Sequence, residues 1–210
     1  MNEQTNTIKL AINGGIGFGA KLSAKQLMTI AHFLKEEETI ELTTFQQLYI
    51  EIPLEQKESV MQQFKQVGLH CYPVGNYVKS LRTCNFCKGE LEEGMPVAKE
   101  LNRRIAGKAV PFTLKPAYTG CAVGCGEPLV NDIGVMKIKE HYNLYIGGKA
   151  KGKDAQVGRL YKEGCTPDEL YEAIERLLAY YAETGRKREP LTRFIERIGF
   201  ETLRLHLLEN

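Results

Sequence analysis

The chain has 210 residues, of which 43% are hydrophobic and 26% are charged, and these proportions are ordinary for a globular protein. Its formal net charge of +2 argues against bulk binding of nucleic acid and against an acidic interaction tail. No apolar run approaches the ~18 residues of a membrane-spanning helix, and the polar N-terminus lacks the pattern of a signal peptide. We therefore expect a cytoplasmic protein with no nucleic-acid partner and no membrane partner.

The first third of the chain predicts alternating strands and helices. Ser23 and Gln26 have the spacing of a capping box, which marks the start of a helix. A glycine-rich turn over residues 14–19 precedes that helix, and we interpret it as a flexible turn or a backbone approach to a cofactor rather than a dinucleotide loop. The resulting β-α-β-β-α-β order is that of the ferredoxin-like split unit. The predicted elements are a strand at 7–13, a helix after Ser23, strands at 39–44 and 47–52, a helix at 53–67 and a strand at 69–74.

The rest of the chain predicts a further set of helices and strands. Thr166 and Glu169 form a second capping box, with Pro167 at the first helical position. Gly199 interrupts the last helical stretch. The predicted elements are a helix at 90–106, extended chain at 109–119, strands at 133–138 and 142–146, a helix at 166–184 and a helical stretch from Pro190.

Four of the six cysteines form two short-spaced pairs, Cys84–Cys87 and Cys121–Cys125. Short-spaced pairs are how a fold brings four thiolates around one point, and soft thiolates select zinc, copper(I) or iron–sulfur. In a reducing compartment, paired cysteines are ligands more often than disulfides. The other two, Cys71 and Cys165, stand alone, and we expect them to be small buried or half-buried residues.

The spacing and surroundings of the pairs favour iron–sulfur over zinc. Structural zinc sites usually have two similar knuckles, whereas here one spacer has two residues and the other has three. The stretch 119–126 is small, apolar and glycine-rich, so backbone amides can approach cluster sulfides and water is kept away. Zinc remains the alternative at this point.

The stretch Thr119–Val135 resembles the cluster loop of the siroheme-dependent nitrite and sulfite reductases, which has a Gly-Cys-x3-Cys followed by Asp-Ile-Gly. The resemblance implies an α+β fold from the small single-unit branch of that family. It would have a ferredoxin-like half domain over 1–78, then a nitrite/sulfite reductase-type [4Fe-4S]/siroheme α/β domain over 79–210. Three further segments resemble the family: Leu42–Gln47, Tyr142–Lys149 and Arg193–Glu201.

The resemblance implies a set of metal and catalytic residues. The four paired cysteines would bind one [4Fe-4S] cluster, and Cys125 would also bridge to the siroheme iron. Lys79 and Lys115 occupy two of the family's basic positions, so they are the candidates for binding an anionic substrate and supplying protons. The implied cluster ligands are Cys84, Cys87, Cys121 and Cys125.

Other residues are candidates for holding the tetrapyrrole. Gln46 lies in the segment that resembles the family's Thr-Thr-Arg-Gln. A basic cluster between Lys137 and Lys162 includes a glycine-interleaved loop, which could grip siroheme carboxylates or dock an acidic electron donor such as ferredoxin. The lysines of that loop are Lys149, Lys151 and Lys153.

The chain also departs from the family. Its first pair is Cys-x2-Cys instead of the usual Cys-x5-Cys, and Phe45 and Thr113 stand where basic residues are usual. A site with less positive charge is less suited to a divalent anion such as sulfite. We expect an oxidoreductase that reduces a small haem-bound substrate of the sulfite or nitrite type, with a homodimer as a reasonable assembly. A non-catalytic electron-transfer or tetrapyrrole-binding protein, and a zinc-stabilised binding module, are the alternatives.

Overall fold

The computed structural model describes residues 6–13, 21–87 and 89–208. The predicted glycine-rich turn over 14–19 therefore lies outside the described residues. In the described part of the chain, no helix is long and apolar enough to cross a membrane.

The chain divides into two compact units, Met1–Val74 and Gly75–Asn210. The predicted domain boundary after residue 78 falls inside the second unit. The reason is backbone pairing: Tyr77 forms an antiparallel bridge with Ala109, and Val78 forms a parallel bridge with Leu114. These bridges attach residues 77 and 78 to the segment that leads into the second unit's sheet.

The first unit has a four-stranded antiparallel sheet in the order β2-β3-β1-β4. This order and the predicted β-α-β-β-α-β succession are those of a ferredoxin-like unit. The side chains of Ser23 and Gln26 form the predicted capping box at the start of α1. The elements are β1 (Thr7–Asn13), α1 (Ala24–Ala31), β2 (Glu41–Leu42), β3 (Leu48–Pro53), α2 (Lys57–Gln66) and β4 (His70–Pro73).

The core of the first unit is formed by apolar side chains from its strands and from both helices. Alternate residues of the two central strands β1 and β3 lie in this core, because successive side chains of a strand point to opposite faces. The helix predicted from Pro53 begins as a short 3-10 turn, Leu54–Gln56, before α2. The central buried residues are Leu10, Ile12, Ile30, Ile50, Ile52, Val60 and Phe64.

The second unit has a five-stranded mixed sheet in the order β5-β6-β7-β8-β9. The pairs β5–β6 and β6–β7 are parallel, and the pairs β7–β8 and β8–β9 are antiparallel. The predicted sequence patterns did not include β5 or β9. The elements are β5 (Arg82–Thr83), α3 (Gly94–Ile105), β6 (Pro116–Thr119), β7 (Ile133–Ile138), β8 (His141–Ile146), β9 (Arg159–Cys165), α4 (Pro167–Thr184), α5 (Leu191–Ile198) and α6 (Phe200–Leu208).

The long helix α4 covers this sheet and contacts β8 and β9. Its predicted capping box is confirmed, because the Thr166 side chain accepts from the Glu169 N–H and the Glu169 carboxylate accepts from the Thr166 N–H. Gly199, with φ of 91°, separates α5 from α6 as predicted. The buried stripe of α4 is Leu170, Ile174, Leu177, Leu178 and Tyr181.

Candidate metal centre

Both cysteine pairs follow neighbouring parallel strands. In the β5–β6 pair, Thr83 lies opposite Tyr118. Cys84 comes directly after β5, and Cys121 comes two residues after the end of β6. Because parallel strands end at the same edge of a sheet, the pairing delivers both cysteine pairs to one edge.

Hydrogen bonds join the first cysteine to the second loop. The backbone N–H of Cys84 donates to the Tyr118 carbonyl oxygen at 3.3 Å. The backbone N–H of Gly120 donates to the Cys84 Sγ at 3.4 Å. An amide that donates to a thiolate sulfur stabilises its charge, and such bonds tune iron–sulfur centres.

The second cysteine loop needs glycine at two positions. Gly124 has φ of +79°, in the left-handed region that disfavours larger residues, and its N–H donates to the Cys121 carbonyl oxygen at 3.3 Å. A Cβ at Gly126 would lie 2.0 Å from the Tyr118 carbonyl oxygen. The loop can therefore lie directly against the β6 backbone only because Gly126 has no side chain.

The four thiols differ in exposure, and all of them are free. Cys84 and Cys121 are half-buried, whereas Cys87 and Cys125 are exposed. Val123, between the second pair, is 79% exposed. Exposed apolar surface beside exposed thiols is the part of this loop that a bound group could cover.

The described residues contain no group of three or more His, Cys, Asp or Glu side chains arranged to hold a metal ion. The donor set and its surroundings nevertheless fit an iron–sulfur cluster in three respects. The two pairs share a sheet edge, a backbone amide donates to one sulfur, and a Cβ-free glycine backs the loop.

An ion pair spans the two cysteine loops. Arg82, two residues before Cys84, has its Nη1 2.8 Å from the Oε2 of Glu127, which lies two residues after Cys125. The Arg82 Nε is buried and has no hydrogen-bond partner in the described part of the chain. Glu127 has a left-handed backbone, with φ of 55°.

Lys137 differs from the rest of the predicted basic cluster. It projects from β7, is buried, and its Nζ lies 3.0 Å from the Glu90 Oε1 and 2.8 Å from the Glu93 Oε2. Burial alone would lower the pKa of Lys137, but the hydrogen bonds to Glu93 and Glu90 outweigh it and the pKa is raised. Lys137 is therefore a charged, paired interior residue and not part of a basic surface.

Lys79 and Lys115 lie on neighbouring backbone segments. The Lys79 N–H donates at 2.9 Å to the carbonyl oxygen of Leu114, the residue before Lys115. Lys79 is half-buried and Lys115 is exposed. Both residues precede the strands β5 and β6, whereas the cysteines follow them. The two lysines are thus at the opposite end of these strands from the cysteine loops.

The loop with the three predicted lysines is closed by backbone pairing. Lys149 and Gln156 exchange two backbone hydrogen bonds of 2.9 Å. The Lys149 Nζ lies 3.7 Å from the Asp154 Oδ2. Lys151 and Lys153 are exposed, and no described carboxylate lies within ion-pair distance of either. These two ammonium groups are open to an anionic partner.

Gln46 lies in the first unit, in the turn between β2 and β3. Its backbone is left-handed, with φ of 60°, and its N–H donates to the Thr43 carbonyl oxygen at 3.2 Å. Phe45, which stands where the family usually has arginine, is buried. Gln46 and the cysteines therefore belong to different units of the chain.

Several polar contacts around the cysteine loops were missed by the sequence patterns. Arg82 and Glu127 are far apart in sequence, and so are Lys137 and Glu90, so no local spacing relates them. A lysine within a strand pattern is the only sequence signal for Lys137. It is weak, because a lysine there is usually exposed.

The family model of the nitrite and sulphite reductase 4Fe-4S domain matches residues 77–210 of this chain. The match covers well over half of the chain and includes both cysteine pairs. The chain belongs to this family, so the resemblance given by the cluster loop is confirmed.

Three relatives share about a quarter to a third of their aligned residues with this chain. A cobalt-factor III methyltransferase of Priestia megaterium is 29% identical over 90% of this chain, which spans 35% of that protein. A nitrite reductase [NAD(P)H] of Bacillus subtilis is 29% identical over 61% of this chain and 16% of its own length. An assimilatory-type sulfite reductase of Nitratidesulfovibrio vulgaris is 25% identical over 63% of this chain and 61% of its own length.

Solved structures confirm the α+β fold class. The NirA protein of Mycobacterium tuberculosis superposes with a TM-score of 0.72 and 18% identity, covering 97% of this chain and 41% of that one. A crystal structure of dissimilatory sulfite reductase I superposes with a TM-score of 0.71 and 15% identity, covering 96% of this chain and 68% of that one. At these identities the likeness is one of fold.

Because the backbone is in close contact at Gly126, we expect substitution of this glycine to destabilise the fold. We expect Gly126→Ala to lower the free energy of unfolding by about 1–3 kcal/mol, because the new Cβ forces the loop away from the Tyr118 backbone. Chemical denaturation of the full chain measures this change. Val123→Ala in the same loop is the control, since Val123 is 79% exposed. Equal stability of the two variants would contradict the close contact.

The carboxyl of Asp132 predicts a pH dependence of stability. Burial raises the pKa of Asp132 to about 6, although its Oδ2 accepts a hydrogen bond of 2.8 Å from the Lys115 N–H. The ordinary pKa of an unfolded aspartate is about 3.9, so the folded chain binds this proton more tightly. The stabilisation from Asp132 is therefore full below about pH 4 and is lost as the pH rises to about 6.

We expect Asp132→Asn to remove this loss, since the amide oxygen still accepts from the Lys115 N–H and carries no charge. Relative to the natural chain, the variant should gain about 1–3 kcal/mol of unfolding free energy between pH 4 and pH 7. Urea unfolding at intervals across that range measures the difference. A difference that does not change with pH would show that Asp132 does not titrate there.

Proposed function

We propose that the second unit binds a [4Fe-4S] cluster through Cys84, Cys87, Cys121 and Cys125. The observation that carries this proposal is the parallel pairing of β5 with β6, which delivers both cysteine pairs to one sheet edge. The Gly120 N–H that donates to the Cys84 Sγ supports it, and so does membership of the 4Fe-4S family. A cytoplasmic, reducing setting would keep the four thiols available as ligands.

We further propose that the chain is an oxidoreductase of the nitrite/sulfite reductase type, with siroheme coupled to the cluster through Cys125. The two cofactors would transfer electrons to the substrate. Hydrogen bonds to the sulfurs and solvent exposure would set the reduction potential of the cluster. The exposed thiol of Cys125 and the exposed Val123 beside it would meet the macrocycle. Substrate would be a small anion of the sulfite or nitrite type.

In this proposal two sets of lysines bind two different anionic groups, the substrate and the carboxylates of a cofactor or partner. Lys79 and Lys115, whose backbones are adjacent, would hold the substrate anion and supply protons from the strand ends opposite the cysteine loops, so the macrocycle would lie between them and the cluster. The exposed Lys151 and Lys153, with Lys149 behind them, would bind the carboxylates of the macrocycle or of an acidic electron donor such as ferredoxin. We also propose that Gln46, in the first unit, is a tetrapyrrole-binding residue and that the chain forms a homodimer.

A second candidate function is a cluster- or tetrapyrrole-binding protein without reductase activity. The relative that covers 90% of this chain is named for a methyl transfer and not for a reduction. In addition, Phe45 is buried, and the Thr113 hydroxyl already donates to the Gly75 carbonyl oxygen at 2.5 Å. Neither residue supplies the positive charge that a sulfite site uses.

Cysteine variants test the cluster proposal. We expect Ser at any one of the four positions, for example Cys84→Ser or Cys121→Ser, to remove most of the iron and sulfide from protein purified without oxygen. The loss follows because a hydroxyl is a poor ligand for iron–sulfur clusters. Chemical analysis of iron and acid-labile sulfide, with the visible absorption spectrum, measures it.

Cys71→Ser is the matched control. Burial raises the pKa of the Cys71 thiol to about 11, with a smaller contribution from Glu58, and Cys71 belongs to the first unit, whereas the four paired cysteines belong to the second. The control should keep the iron and sulfide content of the natural chain. A colourless natural protein that contains zinc would contradict the proposal and favour a zinc-stabilised binding module.

Turnover separates the two candidate functions. If the absorption spectrum shows haem bands, we expect reduced viologen to drive reduction of sulfite or nitrite, and Lys115→Ala to lower kcat/KM about tenfold or more by removing an anion-binding charge. Lys187→Ala, at an exposed position on the link between α4 and α5, is the control. No turnover of either substrate by haem-loaded protein would favour the binding protein.

A further inference from the structure

Lys137 is an unusual residue for its place in the fold. It lies on β7, inside the sheet of the second unit, and its side chain is only 6% exposed. Lysine is rarely buried unless it is paired, because removing an ammonium group from water costs much free energy. Here its Nζ contacts two carboxylates, those of Glu90 and Glu93.

Both carboxylates belong to the segment that follows the first cysteine pair. The Glu90 N–H donates to the Cys87 carbonyl oxygen at 3.0 Å, so Glu90 is bonded to the first cysteine loop. The Glu90 side chain also lies against Gly120, where an added Cβ would be 3.2 Å from its Cβ and Cγ. Gly120 in turn donates to the Cys84 Sγ. Glu90 therefore contacts both cysteine loops, and Lys137 holds Glu90.

We propose that Lys137 is a positioning residue that, through Glu90, fixes the first cysteine loop against the second. The inference rests on the proposed function of the four cysteines as cluster ligands. A first spacer of only two residues leaves the loop little backbone of its own to set its position. The ion pair of the buried Lys137 with Glu90 supplies an attachment to the sheet instead.

The test compares Lys137→Met with Lys139→Met in the full chain purified without oxygen. Lys139 is the matched control, because it is two residues away and exposed. Iron release to a ferrous chelator should become about tenfold faster in Lys137→Met, as when other residues that orient metal ligands are removed. The electron paramagnetic resonance spectrum of the reduced cluster should also change. Lys137→Arg should restore both readouts, and Lys139→Met should leave both unchanged.

A second variant separates positioning from stability. Lys137→Met leaves the half-buried Glu90 carboxylate without this partner, which destabilises the fold by itself. The double variant Lys137→Met with Glu90→Gln removes both charges, so it should unfold closer to the natural chain in denaturant. Iron release from the double variant should nevertheless remain fast, because the attachment of the loop to β7 is lost.

The outcomes are distinct. Fast iron release from the folded double variant supports the proposal. Release at the natural rate from that variant, or from a folded Lys137→Met, overturns it while the cluster proposal stands. A natural chain that holds no iron and sulfide overturns the cluster proposal itself, and this inference with it.

Discussion

The short parallel pairing of β5 with β6 is the constraint on which the rest of the site depends. Only Arg82 and Thr83 form β5, yet their register against β6 sets where both cysteine loops begin. The pairing is extended upstream by the bridge between Val78 and Leu114 and downstream by the bond from Cys84 to Tyr118. These backbone bonds bring two loops that are distant in sequence next to each other.

Charged groups then fix the two loops from either side. Arg82, before the first cysteine pair, contacts Glu127, after the second, and Lys137 of β7 contacts Glu90, which follows the first pair. Buried ion pairs add little net stability because desolvation offsets their attraction, but breaking one is costly. The contact of the buried Lys137 with Glu90 therefore contributes to geometry, because it penalises movement of Glu90 away from β7. Val123 leaves apolar surface exposed on the second loop.

The sequence patterns predicted most elements but fewer of the contacts that matter at the site. Capping boxes at Ser23 and Thr166 and the apolar stripe of α4 are local signals, so they could be predicted. A two-residue strand such as β5 has no periodicity, and β9 lacks a clear alternation of apolar residues. The burial of Lys137 depends on partners more than forty residues away, which no local pattern contains.

Membership of the nitrite and sulphite reductase 4Fe-4S domain family and the two cysteine pairs at one sheet edge support the proposal of a thiolate-bound cluster. The most direct test of this central claim is the Mössbauer spectrum of the full chain, grown with enriched iron and purified without oxygen. We expect the spectrum of a [4Fe-4S] cluster, with the four cluster irons in tetrahedral sulfur coordination and any siroheme iron as a separate component. Isolated iron without sulfide, or an iron-free protein with stoichiometric zinc, would contradict it.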